Sequence, residues 1–228
     1  MRGRGVDTAA VTNARATRRR LSPEDRRREI IAATIDTVAA LGYRATTFAK
    51  ITERSGMSST RLISYHFAGR DELMQATVTH VYQQLRDHLN ERLAAATGPR
   101  AQLAAHIRAA VEFIAEHRTA MQALASIFVS FRDASGGSRS YDADNDQRAI
   151  GAVEQILRRG QDDGTFRMFD SFIMGSLVQR SVDGLAFLLE TQPDLDLGAY
   201  AEELVETFDI ATRRSGGGRD QDVPAPQR

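Results

Sequence analysis

The sequence predicts an all-α protein, a small three-helix head followed by a larger helical bundle. Three observations predict it. Apolar residues recur at spacings of three and four through most of the 228 residues, which is the period of helices with one buried face. No stretch shows the strict alternation of a half-buried strand. Charge also divides the chain. Residues 1–70 hold 14 Lys+Arg against 6 Asp+Glu, a net +8, and residues 71–228 hold 16 against 24, a net −8, beneath a total of zero. A basic head on an acidic body is the electrostatic footprint of a surface that meets nucleic acid or anionic lipid, although a solvated arginine-rich face has the same charge.

The helices follow in order. In "SPEDRRREIIAATIDTVAALGY", Ser22 and Pro23 form a cap and first-turn proline, Glu24 and Asp25 follow, and Ile30, Ile31, Thr34, Val38 and Leu41 share a face that ends at Gly42. Thr47 caps a short second helix with Phe48 and Ile51 inward, broken at Ser55-Gly56. Ser58 or Ser59 caps a third, "TRLISYHF", whose consecutive rings Tyr65, His66 and Phe67 point in three directions, so that they cannot all be buried. Two short helices around a glycine turn, behind a longer supporting helix, match a helix-turn-helix unit whose second helix enters a DNA major groove.

Gly42-Tyr43, Thr46-Thr47, Ile51, Gly56-Met57-Ser58, Tyr65-His66-Phe67 and Gly69-Arg70-Asp71-Glu72-Leu73 stand in one order over about 45 residues, a fifth of the chain. This set resembles the N-terminal domain of TetR-family transcriptional regulators. The resemblance implies that Tyr65 and His66 donate to DNA phosphates while Phe67 packs beneath the helix. Arg70 stands where the family usually has lysine and would reach another phosphate, and Thr47 would do so from the second helix. Hydroxyl and imidazole N–H donors fix register on the backbone without reading sequence.

Gly56 to Phe67 is one residue longer here than in the family's common form. Each helical residue turns later side chains by about 100°. Matching backwards from Phe67 buries Ile63 and turns Ser64 and Tyr65 to DNA; matching forwards from Gly56 buries Leu62. The intact spacing from Tyr65 to Leu73 favours absorbing the extra residue near residues 58–61. Base reading then falls to Ser59, Thr60, Arg61 and Ser64, with Arg61 the one long donor suited to a bidentate guanine contact. The expected DNA contacts also include Lys50, the only lysine. Residues 1–22 read as a disordered basic arm with Arg15, Arg18, Arg19 and Arg20. Arg26–Arg28 oppose the dipole of the first helix, an arrangement that a nearby phosphate chain explains.

The body, residues 71–213, opens with a long amphipathic helix over 71–96, closed by Gly98-Pro99. Further helices are expected at about 100–116, 120–131, 146–161, 171–190 and 197–213, with a polar loop "RDASGGSRSYDADND" between the third and fourth of the body and a disordered tail over 214–228. Phe113, Met121, Phe128, Phe131, Phe172 and Met174 suit an adaptable pocket and equally a plain core. The resemblance favours the pocket, holding a small apolar or amphipathic ligand. In the last two helices, Gly175, Gly184, Leu204 and Phe208 mark a surface for pairing with a second copy. A homodimer would set two recognition helices about 34–36 Å apart, as a palindromic operator requires.

Other classes fit less well. The five histidines are scattered, no phosphate-binding glycine loop or His-Glu-x-x-His appears, and there is no cysteine for a thiolate, disulfide or zinc site. No enzyme, metal or cofactor is expected. No uninterrupted apolar run approaches the roughly 20 residues of a membrane helix, and the first 20 residues lack an export signal's apolar middle, so the expected location is the cytoplasm with no membrane partner. The reading is a sequence-specific DNA-binding regulator, a homodimeric repressor released from a palindromic operator by a ligand; the alternative is an architectural protein that binds DNA without sequence preference, distinguished by flat affinity across sequences.

Overall fold

The computed structural model describes residues 22–135 and 143–214. Among them are nine α-helices and one isolated β-bridge, between Phe166 and Arg213. The expected basic arm, apart from Ser22, and the expected tail beyond Arg214 lie outside the described residues.

The head comprises α1 (Pro23–Leu41), α2 (Phe48–Ser55) and α3 (Thr60–His66). The Ser22 hydroxyl accepts the Asp25 N–H at 3.0 Å and Pro23 opens α1. Gly42 ends it at φ 79°, a backbone conformation that favours glycine. Ile30, Ile31, Thr34, Ile35 and Val38 are buried. Leu41, expected on that face, is 39% exposed, and Thr37 is buried in the preceding turn with its hydroxyl donating to the Ala33 carbonyl at 2.7 Å. Gly56 closes α2 in the left-handed region at φ 68°.

The body follows with α4 (Arg70–Ala94), α5 (Pro99–Glu116), α6 (Arg118–Ser135), α7 (Ala143–Asp162), α8 (Ser171–Thr191) and α9 (Leu197–Thr212). Helices α6 and α7 both extend into the segment expected as a 15-residue loop. Arg132, Asp133 and Ala134 continue the helix, since only the Gly136-Gly137 stretch strongly opposes one.

Packing does not break between head and body. One core cluster joins Ile30, Ile51, Ile63 and Phe67 of the head to Leu73 and Val78 of α4, Phe113 of α5 and Ile127 of α6. Two further clusters fill the body. One centres on Ile107, Ile156, Phe166 and Phe208, the other on Val111, Val182, Leu185 and Ala201.

His106 of α5 is buried among these helices at 3% exposure. Burial pushes its pKa down to about 4, because the apolar interior disfavours the charged ring. Above about pH 6.5 neither the folded nor the unfolded chain carries this proton. As pH falls below 6.5 the unfolded chain takes it up and the folded chain does not, so stability declines until about pH 4. The loss reaches about 3 kcal/mol. Urea unfolding at pH 7, 5.5 and 4.5 should show this decline, and His106→Leu should flatten it across that window.

Candidate nucleic-acid interface

The candidate recognition surface is the outer side of α3. Ile63 is fully buried and Phe67 is 2% exposed, while Leu62 is only half-buried. These anchors turn Ser59, Thr60, Arg61, Ser64 and Tyr65 to solvent, with Tyr65 82% exposed. The burial of Ile63 is the register obtained by matching backwards from Phe67. The chain between α2 and α3 runs through residues 56–59, so α3 itself begins only at Thr60. His66 is half-buried and stands edge-on to Tyr65, ring centroids 5.0 Å apart. Phe67 faces inward, and the three consecutive rings thus serve three surroundings.

Thr47 is exposed and its hydroxyl caps α2, accepting the Lys50 N–H at 3.3 Å. Lys50 is exposed and pairs with Glu53 at 2.8 Å. Arg61 has no ion pair among the described residues, and its guanidinium is available to a base edge or phosphate.

Arg70 departs from expectation. Its guanidinium lies 3.9 Å over the Tyr43 ring and donates to the Tyr43 carbonyl and, through Nε at 3.0 Å, to the Thr46 carbonyl. Bonded inward in this way, it ties the start of α4 to the α1–α2 loop rather than reaching outward to a phosphate. The same loop is held from the body, where the Ser126 hydroxyl of α6 accepts the Tyr43 N–H at 2.9 Å.

The cluster Arg26–Arg28 also differs from expectation. Arg26 pairs with Glu29 and Arg28 with Asp25, each three residues away along α1. Arg27 reaches across the head, lying 4.0 Å over the Phe67 ring, donating to the His66 carbonyl at 2.6 Å and pairing with Glu72 at 3.1 Å. The other Glu72 oxygen accepts the Ala68 N–H at 2.7 Å. That N–H and the Arg27 guanidinium hold the Glu72 carboxyl below its usual range. The three arginines thus each have a carboxylate partner within the protein, without a phosphate chain, and Arg27 locks the end of α3 beside Tyr65 and His66. Glu72 three residues after Gly69 has the spacing of a capping box and was the one local signal for this lock. Nothing local pointed to Ser126, 83 residues from its partner.

The model of bacterial regulatory proteins of the tetR family matches residues 30–77, from the middle of α1 into α4. The head belongs to the TetR family. Over 68 residues, 30% of this chain, it is 40% identical to the HTH-type transcriptional regulator BetI of Klebsiella pneumoniae (strain 342). Over 87 residues it is 37% identical to BetI of Burkholderia mallei (strain NCTC 10229). The matched segments span 34% and 44% of those relatives' lengths. The full TetR fold is shared more widely. A putative TetR-family transcriptional regulator from Rhodococcus sp. superimposes with a TM-score of 0.71 at 18% identity, covering 82% of this chain and 98% of that one. A TetR transcription regulator from Haloarcula marismortui does so at 0.70 and 19%, covering 84% and 100%.

Behind the TetR-family head, the residues expected to line a pocket do not converge. Phe113 is 1% exposed and stacks on His117 within the core. Met121 and Phe128 pack half-buried against the head cluster, and Met174 against the Ile107–Phe208 cluster. Phe172 is 57% exposed. The Phe131 side chain lies outside the described residues. Of the residues expected at a pairing surface, Gly184 is exposed on α8 with open space before it. Gly175 instead faces α7, where a Cβ would come within 3.4 Å of the Ile150 and Glu154 backbones, so its small size serves packing inside one chain. Phe208 is 7% exposed in the protein's own core, and Leu204 is half-buried against two internal clusters. The apolar surface left uncovered on α8 consists of Phe172, Ile173, Leu177 and Phe187, each more than half exposed.

Since Arg27 is engaged with the Phe67 ring, the His66 carbonyl and Glu72, Arg27→Ala should weaken DNA binding by about five- to tenfold through loss of its ring contact and hydrogen bond. The slope of log affinity against log salt should stay unchanged, whereas losing a phosphate-contacting cation lowers it by about one. Titrations at three salt concentrations check this, and a reduced slope would make Arg27 a phosphate ligand.

Proposed function

We propose that the protein is a cytoplasmic homodimeric repressor that binds a palindromic operator through α3 and is released by a small apolar or amphipathic ligand. The observation that carries the DNA part is the solvent face of α3, where Arg61, Ser64 and Tyr65 stand exposed over a helix anchored by Ile63 and Phe67. In this reading Arg61 reads a base, Ser59, Thr60 and Ser64 lie in the groove, and Tyr65, His66, Thr47 and Lys50 fix register on the phosphates.

Dimerisation is supported by α8. Ile173, Leu177, Arg180, Gly184 and Phe187 follow one another at spacings of four, three, four and three, the seam of a helix that packs against another, with the charge of its central Arg180 met by Asp183 and Asp146. By length and composition α8 also qualifies as a membrane span. Only 28% of its most apolar window is buried, which leaves an apolar face for a second copy to cover. Arg180 and Asp183 within the helix pair with each other at 2.8 Å, and Arg180 also pairs with Asp146.

Selection of bound fragments from sheared genomic DNA tests the reading. A palindromic site bound about 10³-fold or more above scrambled DNA is expected; uniform weak binding would make the protein an architectural DNA binder instead. On the selected site, Tyr65→Phe with His66→Ala should cost about tenfold in affinity, shared equally by matched and mismatched sequences, because phosphate contacts carry no base information. Unchanged affinity would remove both residues from the interface.

A further inference from the structure

Residues 42–47 join α1 to α2, and Thr47 closes this loop with its side chain exposed. The loop is stiff. The Gly42 N–H donates to the Val38 carbonyl at 2.8 Å, which fastens its start to the end of α1. Tyr43 and Thr46 are buried. Thr46 folds the turn on itself, its N–H donating to the Tyr43 carbonyl at 3.3 Å and its hydroxyl to the Gly42 carbonyl at 2.8 Å. With both buried residues bonded in this way, a displacement at Tyr43 carries Thr47 with it.

Two side chains from beyond the three head helices set where the loop sits. Arg70 of α4 donates to the Tyr43 and Thr46 carbonyls. Ser126 of α6 takes the other side of Tyr43, its hydroxyl accepting the Tyr43 N–H at 2.9 Å. Helix α6 packs along α1, and the neighbours of Ser126, Ala123 and Ile127, are buried in the cluster that head and body share. Small buried side chains at Ala120 and Ala123 let the two helices lie close. The hydroxyl is therefore a fixed post to which the loop is tied. Removing it leaves the Tyr43 N–H a part-buried donor stripped of its acceptor, a state that favours movement of the loop toward water.

We propose that Ser126 is a positioning residue for DNA binding, one that holds the α1–α2 loop where Thr47 meets a phosphate. Ser126 acts through Tyr43 and Thr46, at a distance of 79 positions in the sequence from the residue it places. The DNA-contacting loop is thus completed by a helix of the body, and the head helices alone do not supply all of its supports. The inference rests on the phosphate contact read above for Thr47.

The test is a double-mutant cycle in the full chain, read as affinity for the selected genomic fragment and for scrambled DNA. Phosphate contacts carry no base information, so both DNAs should report the same losses. Ser126→Ala should weaken binding by about three- to tenfold, the usual effect of one hydrogen bond, and Ser126→Thr, which keeps the hydroxyl, should restore most of it. In a Thr47→Ala background, Ser126→Ala should cost less than about twofold further. Thermal melts fix a temperature at which every variant is folded. A role confined to stability lowers the melting temperature without making the loss of affinity depend on Thr47. Unchanged affinity in Ser126→Ala, or an equal loss with and without Thr47, would overturn the role of Ser126 and leave the Thr47 contact standing. Full affinity in Thr47→Ala would instead remove the Thr47 contact, and the route from Ser126 through it would fall as well.

Discussion

Phe187→Arg on α8 is expected to produce a monomer whose operator affinity falls by about 10²–10⁴-fold. Phe187 is 51% exposed and closes the seam that begins at Ile173 and passes through Leu177 and Gly184. In a two-fold pairing the same residues meet their own copies, so one substitution alters the interface twice. An arginine there brings two like charges into the apolar end of the contact, in place of a ring on each side. Each head then binds its half-site alone and loses the linkage that makes the second contact intramolecular. Sedimentation velocity should show the wild-type dimer and a monomeric variant, with thermal stability retained because Phe187 contributes little to the protein's own core. A wild-type chain that sediments as a monomer, or a variant that remains dimeric with full operator affinity, would remove α8 as the pairing surface.

Phe67→Ala should destabilise the protein by about 3–5 kcal/mol, the usual cost of truncating a buried ring. Phe67 is 2% exposed and also carries the Arg27 guanidinium on its face, so its removal loosens the lock on α3 as well as the core. Its cluster continues into α4, α5 and α6. The melt should therefore remain a single transition shifted to lower temperature, with no separate early loss of the head, and DNA binding should disappear with it. Two resolved transitions would mean that the head folds independently of the body and that the shared cluster does not couple them.

The helical period of the apolar residues was enough to define an all-α chain, since burying one face of each helix is a local requirement that leaves a local pattern. Caps were readable for the same reason, as Ser22, Thr47 and Gly56 act on backbone groups within a few residues. The ordered motif from Gly42 to Leu73 identified the head, and the spacing around Phe67 contained the correct burial of Ile63. What the sequence could not determine was which long polar side chains turn inward. Arg27 and Arg70 each stack on a ring and bond to carbonyls brought close only by folding, Arg27 to His66 and Arg70 to Tyr43 and Thr46. As charges in a sequence they are indistinguishable from Arg61, which remains exposed.

The same reason separates the small and aromatic residues of the body. Gly175 and Gly184 look alike in the sequence, yet one is pressed against α7 and the other faces open space. Phe113 and Phe172 both suit an apolar surface, but one is core and the other exposed. Periodicity reports that a helix has an apolar face; it carries no information about which neighbour covers that face. The relative rotation of packed helices decides that, as it decides that the Phe166 ring of the α7–α8 connection is buried against Gly160, where a side chain would leave it no room.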